Sequence, residues 1–315
     1  MIRQIGITIL WMIVVYHVQA QHAAPVRYRD VVFSSVAIQK NISYQSHVTN
    51  TRKKRYSKLD FYQPIGDSFK LRPLIVWIHG GGFKFGSKKS AGTPLWSRQF
   101  AQRGYVCAAV NYRLSKKHPL ANFKDMVAGC YDAVKDVMES IAYFKEYYKK
   151  FRIDTNCIIL AGNSVGGMVA LQAVYSSPYD LAKLAGLSDT TQAYQGYNAA
   201  DIKAVVNCWG AIFDTTWLQN AKVPIVSIHG VRDRIVPFDQ KAYPLYGSLA
   251  VHREADRLEI PNALKAYDGF GHELHKHFNP LWAGHGTKKR WRESGKFIAQ
   301  FLYTQLFKKS QARGS

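Results

Sequence analysis

Six short apolar runs set the tightest limit on what this chain can fold into: LIVWIHG (74–80), YVCAAVNY (105–112), CIILAG (157–162), AVVNCWG (204–210), VPIVSIHG (223–230) and ALKAYDG (263–269), several ending in Gly. Runs that are apolar throughout, rather than at every second position, have both faces buried, as in a parallel sheet covered by helices on both sides. Helical spacing lies between them, clearest where Phe123, Met126, Val127, Cys130, Val134, Val137, Met138, Ile141 and Phe144 recur at steps of three and four. Ahead of them, VVFSSVAIQKNISY and KLDFYQP mix apolar and polar residues and read as an antiparallel entry pair. The pattern predicts an α/β fold with a mostly parallel, doubly wound sheet of about eight strands, whose ligands bind beyond the strands' carboxyl ends.

No repeat, low-complexity block or linker divides residues 21–315, which read as a single domain. Ser176 to Ala200, rich in Tyr, Gln, Asp and Asn, is the candidate for a cap over the sheet's carboxyl edge. Only thirteen residues, Ala211 to Val223, separate the next two strands, so a large lid there is excluded and a rather open site is expected. Residues 1–20 have a different texture: Arg3, the apolar stretch from Ile5 to Val15, and Val18-Gln19-Ala20 make the three parts of a cleaved signal peptide. Eleven apolar residues fall short of the roughly 20 that span a bilayer, so the expectation is a secreted or periplasmic protein whose mature chain starts at Gln21.

Forty-three Lys and Arg against twenty-one Asp and Glu give a formal net charge of +22. The clusters RKKR (52–55), KK (88–89), KK (149–150) and KKR (288–290) are scattered, which favours a dispersed basic surface over a dedicated site for an anionic surface or acidic polysaccharide. Export and the lack of a recognition motif argue against nucleic acid. Cys107, Cys157 and Cys208 fall in apolar runs and read as free, buried thiols, with Cys130 to Cys157 the pairing to test. No CxxC or HxxxH spacing near other ligands marks a metal site.

The chemistry is concentrated in IILAGNSVGGMVA (158–170). Gly162-Asn163-Ser164-Val165-Gly166 fits Gly-x-Ser-x-Gly, where a buried strand turns abruptly into a helix and lifts the serine hydroxyl clear of the backbone. Such a serine needs a base, an acid to orient the base, and donors for the oxyanion. HGGGF (79–83) offers the donors, because glycines let backbone N–H groups approach a substrate oxygen. Gly81 and Gly82 would donate, joined by the Val165 N–H, while His79 reads as a loop organiser.

Asp233 directly follows the strand in VPIVSIHGVRDRIVP and is the candidate acid. In isolation such an Asp would be a helix cap or a partner of Arg232 or Arg234; its place in the order Ser, Asp, His favours catalysis, with Asp239 and Asp268 weaker alternatives. His272 in DGFGHELHKHF is the candidate base, freed by Gly269 and Gly271 to reach over the sheet edge. His275 and His277 sit among charged residues in what resembles a helix start, and read as solvated.

HGGGF combined with GNSVGG resembles the α/β-hydrolase superfamily, and within it the carboxylesterases and lipase-like esterases with a His-Gly-Gly-Gly oxyanion motif, over roughly residues 58 to 307. RGYVCAAVNYRL, IHGVRDRIVP and DGFGHE look like the corresponding segments of such esterases. The resemblance implies Ser164 as nucleophile, His272 as base, Asp233 as acid, Gly81, Gly82 and Val165 as oxyanion donors, and no metal or organic cofactor. The implied substrate is a small-molecule or polymer-linked ester, acetyl or feruloyl groups on polysaccharide included. Val165 stands where these esterases often have Ala, and a β-branched side chain beside the nucleophile favours short acyl groups. A serine peptidase with the same triad order is a second reading, and a non-catalytic binding protein on the same fold a third; the presence of every catalytic part weighs against the latter.

Overall fold

Five of the six apolar runs form the centre of one sheet, and the sixth forms one of its edges. Its strands are β1 (Val36–Ser43), β2 (Lys58–Pro64), β3 (Arg72–Ile78), β4 (Val106–Val110), β5 (Ile153–Asn163), β6 (Ile202–Cys208), β7 (Ile225–Gly230) and β8 (Asn262–Tyr267), in the order β1-β2-β4-β3-β5-β6-β7-β8. β1 with β2 and β2 with β4 are antiparallel, and every later pairing is parallel. This computed structural model describes residues 24–45, 56–90, 92–187, 201–240, 244–277, 279 and 282–308. The leader at 1–20, the basic cluster at 52–55 and residues 188–200 of the cap candidate lie outside the described residues.

Side chains alternate across the sheet as the two-residue period of a strand requires. Leu74, Val76 and Ile78 are buried on one face with Val106, Ala108, Val110, Ile158 and Leu160; Ile75 and Trp77 are buried on the other with Cys107, Ala109, Ile159 and Ala161. Helices α2 (Phe123–Glu146), α3 (Val165–Tyr175), α4 (Pro178–Leu184) and α5 (Ser248–Arg257) cover the first face; α1 (Gly92–Ala101) and α6 (His285–Tyr303) cover the second. α2 begins where the Asn122 side chain accepts from the Asp125 N–H, and it buries the periodic positions from Val127 to Phe144. On the second face Trp77, Trp96, Trp209 and Trp291 pack together, with Trp96 stacked on Trp77 at 5.2 Å and 5.7 Å from Trp291. Four of the seven tryptophans therefore serve the core.

Several expectations change. β8 lies at the sheet edge and is only half-buried, so its apolar run is not covered on both faces. Cys130 belongs to the first face, whereas Cys157 adjoins Tyr28 and Tyr105 on the second; the sheet separates them and all four thiols are free. Cys157 is half-buried, and that burial pushes its thiol up to about 12. Lys88 is no surface cation: it is buried, with Nζ 2.6 Å from Asp60 and 2.9 Å from the Asn41 side chain. No helix among the described residues is long and apolar enough to cross a membrane.

Candidate active site

Ser164 sits between the end of β5 and the start of α3 with φ 55° and ψ −126°, a conformation that side chains rarely adopt. Its N–H donates to the Cys208 carbonyl of β6 at 2.9 Å, which pins the turn to the neighbouring strand. The bracketing glycines are required by close approach: a Cβ on Gly162 would overlap the Gly166 carbonyl group, and one on Gly166 would overlap the Ile78 carbonyl at the end of β3. The tight spacing thus lets helix α3 start almost against the strand it leaves.

His272 comes from the loop after β8. Its Nδ1 lies 2.7 Å from Asp233 Oδ2 and its Nε2 3.0 Å from Ser164 Oγ. The carboxylate can only accept, so Nδ1 carries the proton and the Nε2 lone pair faces the serine hydroxyl. Asp233, buried just beyond β7, also accepts from the N–H groups of Ile235 and Val236 at 2.9 and 3.0 Å. Burial alone would raise its carboxyl, but hydrogen bonds from His229 and His272 outweigh that and hold it well below the usual carboxylate range. Its partners are these imidazoles rather than Arg232 or Arg234, both exposed. Asp239 instead pairs with Arg253, and Asp268 accepts from the Gly269 N–H, so neither joins the cluster.

The glycine loop lies alongside, with a Cβ on Gly80 only 3.1 Å from that of Ser164. Gly81 and Gly82 have φ 117° and 61°, and among the described residues no acceptor takes the N–H of either. Val165 is the first residue of α3, where N–H groups lack intrahelical partners. His79 is buried, stacked on Tyr112 at 4.3 Å, and donates from Nδ1 to the Gly80 carbonyl at 2.7 Å. Burial pushes its pKa down to about 4, so it is a neutral brace for the loop.

The 272–275 segment departs from expectation. It is a short turn rather than a helix start, because Glu273 and Leu274 adopt φ 55° and 60° and reverse the chain. That reversal buries His275 against Trp291, while His277 stays exposed. Helix α6 secures the turn: Trp291 Nε1 donates to the Glu273 carbonyl at 2.8 Å and Arg290 Nε to the Leu274 carbonyl at 2.9 Å.

A family model named BD-FAE matches residues 59–220, just over half of the chain. The chain belongs to the BD-FAE family. Among curated relatives of this family member, the probable carboxylic ester hydrolase LipM of Mycobacterium tuberculosis is 28% identical over 55% of this chain and 35% of its own length. Esterase LipC of the same organism is 26% identical over 63% of this chain and 54% of its own length. The matched part thus spans about half or less of these relatives. Among solved structures, Thermogutta terrifontis esterase 2 with bound propionate aligns at TM-score 0.59 and 18% identity, covering 87% of this chain and 96% of that one. Esterase B from Lactobacillus rhamnosis, inhibited by a C6-C4 SN3 compound, aligns at 0.56 and 16% identity, covering 90% and 91%. The fold is that of the α/β-hydrolase esterases.

Sequence reasoning missed His229, Ser248 and Asn207, which back the Asp233 carboxylate, and the anchoring by Trp291 and Arg290. The signal for the first group was present: Asn207, Ser227 and His229 are polar residues inside runs otherwise apolar and buried.

Proposed function

We propose that this BD-FAE member is a serine esterase that hydrolyses carboxylic esters through an acyl-enzyme. The observation that carries this reading is the hydrogen-bonded series Ser164, His272, Asp233, set beside the backbone N–H groups of Gly81, Gly82 and Val165. His272 Nε2 takes the hydroxyl proton as Ser164 Oγ attacks the ester carbonyl carbon, and the carbonyl oxygen becomes an oxyanion held by those N–H groups. The C–O bond to the alcohol then breaks, the alcohol leaving with the proton from His272. Water attacks the acyl-enzyme, giving its proton to His272, and the carboxylic acid departs as Ser164 regains its hydrogen.

Short acyl groups are the favoured substrates. Val165 supports this as a β-branched neighbour of the nucleophile, and Leu120, whose methyl would overlap a Cβ on Gly82, covers the oxyanion loop. Propionate in the Thermogutta esterase points the same way. Export belongs to the same proposal, and N-terminal sequencing of secreted protein beginning at Gln21 tests it. The second reading of the net charge of +22, an ester borne on an acidic polymer or surface rather than a merely dispersed basic surface, is tested by turnover that falls with ionic strength on an anionic carrier only.

The main test is hydrolysis of p-nitrophenyl esters from acetate to palmitate by the wild type and Ser164→Ala. Turnover of short esters that drops by several orders of magnitude in the variant is expected. A maximum at long chains would overturn the acyl preference, and no turnover at any length would overturn the esterase reading.

A further inference from the structure

We infer that His229 is a positioning residue for Asp233, holding the carboxylate in a fixed hydrogen-bond direction and setting how strongly it engages His272. This rests on the reading of Ser164, His272 and Asp233 as a working triad. His229 is fully buried near the end of β7. Its Nε2 lies 3.3 Å from Asp233 Oδ2 and 3.2 Å from the Val236 carbonyl oxygen. Both neighbours only accept, so Nε2 bears the ring hydrogen and shares it between them.

The other ring nitrogen fixes that choice. Nδ1 lies 2.8 Å from Ser248 Oγ, and this hydroxyl accepts from Asn207 Nδ2 at 3.1 Å, leaving its own hydrogen for Nδ1. Asn207 is held in turn, with Nδ2 donating to Ser227 Oγ at 3.2 Å and Oδ1 accepting from the Gly210 N–H at 2.9 Å. Donation therefore runs one way, from Asn207 through Ser248 and His229 to Asp233. A flipped tautomer would aim a bare nitrogen at two acceptors.

Asp233 Oδ2 thus serves two imidazoles at once, while Oδ1 is occupied by the two backbone N–H groups. Charge on Oδ2 is divided between them, and removing the His229 donor concentrates it on His272. The other ionisable groups near this pair are Glu273, beside His272 and raised by burial; His275 and Arg290, on the same turn and on α6; and Arg232 and Arg234, flanking Asp233 but exposed.

The test uses the full chain with His229→Leu, His229→Gln and Ser248→Ala. In His229→Leu, kcat falls about ten- to a hundred-fold while KM stays within about twofold, because the lost contact holds the acid rather than the substrate. The acid limb of kcat/KM moves up by about half a pH unit, since a carboxylate engaging only His272 favours the charged ring. Gln, whose amide N–H reaches toward Oδ2, restores most of kcat and returns the limb; Ser248→Ala moves it the same way, by less. The low-field proton resonance of the His272 Nδ1–H bond reads the same interaction without turnover and moves further downfield in His229→Leu. An unmoved limb and resonance in folded His229→Leu overturn the inference. Should His229→Leu fail to fold, the same two readouts on Ser248→Ala decide. If the wild type turns over no ester but the resonance moves, the esterase reading fails and the positioning role stands.

Discussion

His79 makes a quantitative prediction about acid stability. Its ring is buried under the glycine loop, stacked on Tyr112, with Nδ1 donating to the Gly80 carbonyl; Tyr112 in turn donates to the His79 carbonyl at 3.1 Å. Burial lowers its pKa from 6.5 to about 4, only partly offset by the bond to Gly80. The unfolded chain takes up a proton near pH 6.5, and the folded chain resists until about pH 4. Stability from this ring is therefore complete above pH 6.5, erodes as pH falls toward 4, and erodes no further below. A gap of about 2.5 pH units at about 1.4 kcal/mol each comes to about 3.5 kcal/mol in all, of which about 3 kcal/mol is lost by pH 4.

The variant that isolates this effect is His79→Asn, whose amide N–H can still reach the Gly80 carbonyl but cannot ionise. Wild type is the more stable at pH 7, since Asn gives up the stacking on Tyr112. Urea melts followed by tryptophan fluorescence should find that this advantage shrinks by about 3 kcal/mol between about pH 7 and pH 4. Other titrating groups are common to both proteins and cancel in the difference. A difference that stays constant within about 1 kcal/mol across that range would refute the argument.

Asp233→Asn removes the charge that orients and stabilises His272, and kcat should fall about 10³- to 10⁴-fold; a loss under tenfold would contradict the assigned role. Gly166→Ala drives a Cβ into the Ile78 carbonyl, so the elbow and β3 must separate: thermal melts should register a loss of at least about 3 kcal/mol, or no folded protein, whereas an unchanged Tm would refute the packing claim. Trp291→Phe keeps most of the core volume but strands the Glu273 carbonyl, costing about 1–3 kcal/mol and lowering kcat more than it changes KM; equal activity would show that the turn does not depend on α6.

Much of this was readable in the chain because the decisive signals are local. Apolar runs name buried strands, periodicity names α2, and the spacing of Gly162, Ser164 and Gly166 names a turn that other residues could not make. The Ser, Asp, His order then picks Asp233 over Asp239 and Asp268, although in the fold these residues meet across 108 and 39 positions of sequence. What escaped depends on contacts between distant elements. Nothing near His275 indicates that Trp291 will cover it, and nothing near Lys88 indicates that Asp60 and Asn41 will receive it. The edge position of β8 is likewise a property of strand order, which a single run of residues does not encode.

The strained turn at Ser164 leads to a test that separates backbone cost from chemistry. At ordinary positions glycine is less stable than alanine by about 0.5–1 kcal/mol, because it loses more freedom on folding. At φ 55° and ψ −126° the order should reverse, since alanine keeps the steric cost of the turn and glycine removes it. With about 1–3 kcal/mol of strain relieved against that entropy, Ser164→Gly should be more stable than Ser164→Ala by about 1 kcal/mol. Both variants lack the hydroxyl, so neither activity nor the bond to His272 enters the comparison. Urea melts that place alanine above glycine would mean that the turn is unstrained, and that the surrounding loops fix the serine at no cost to the fold.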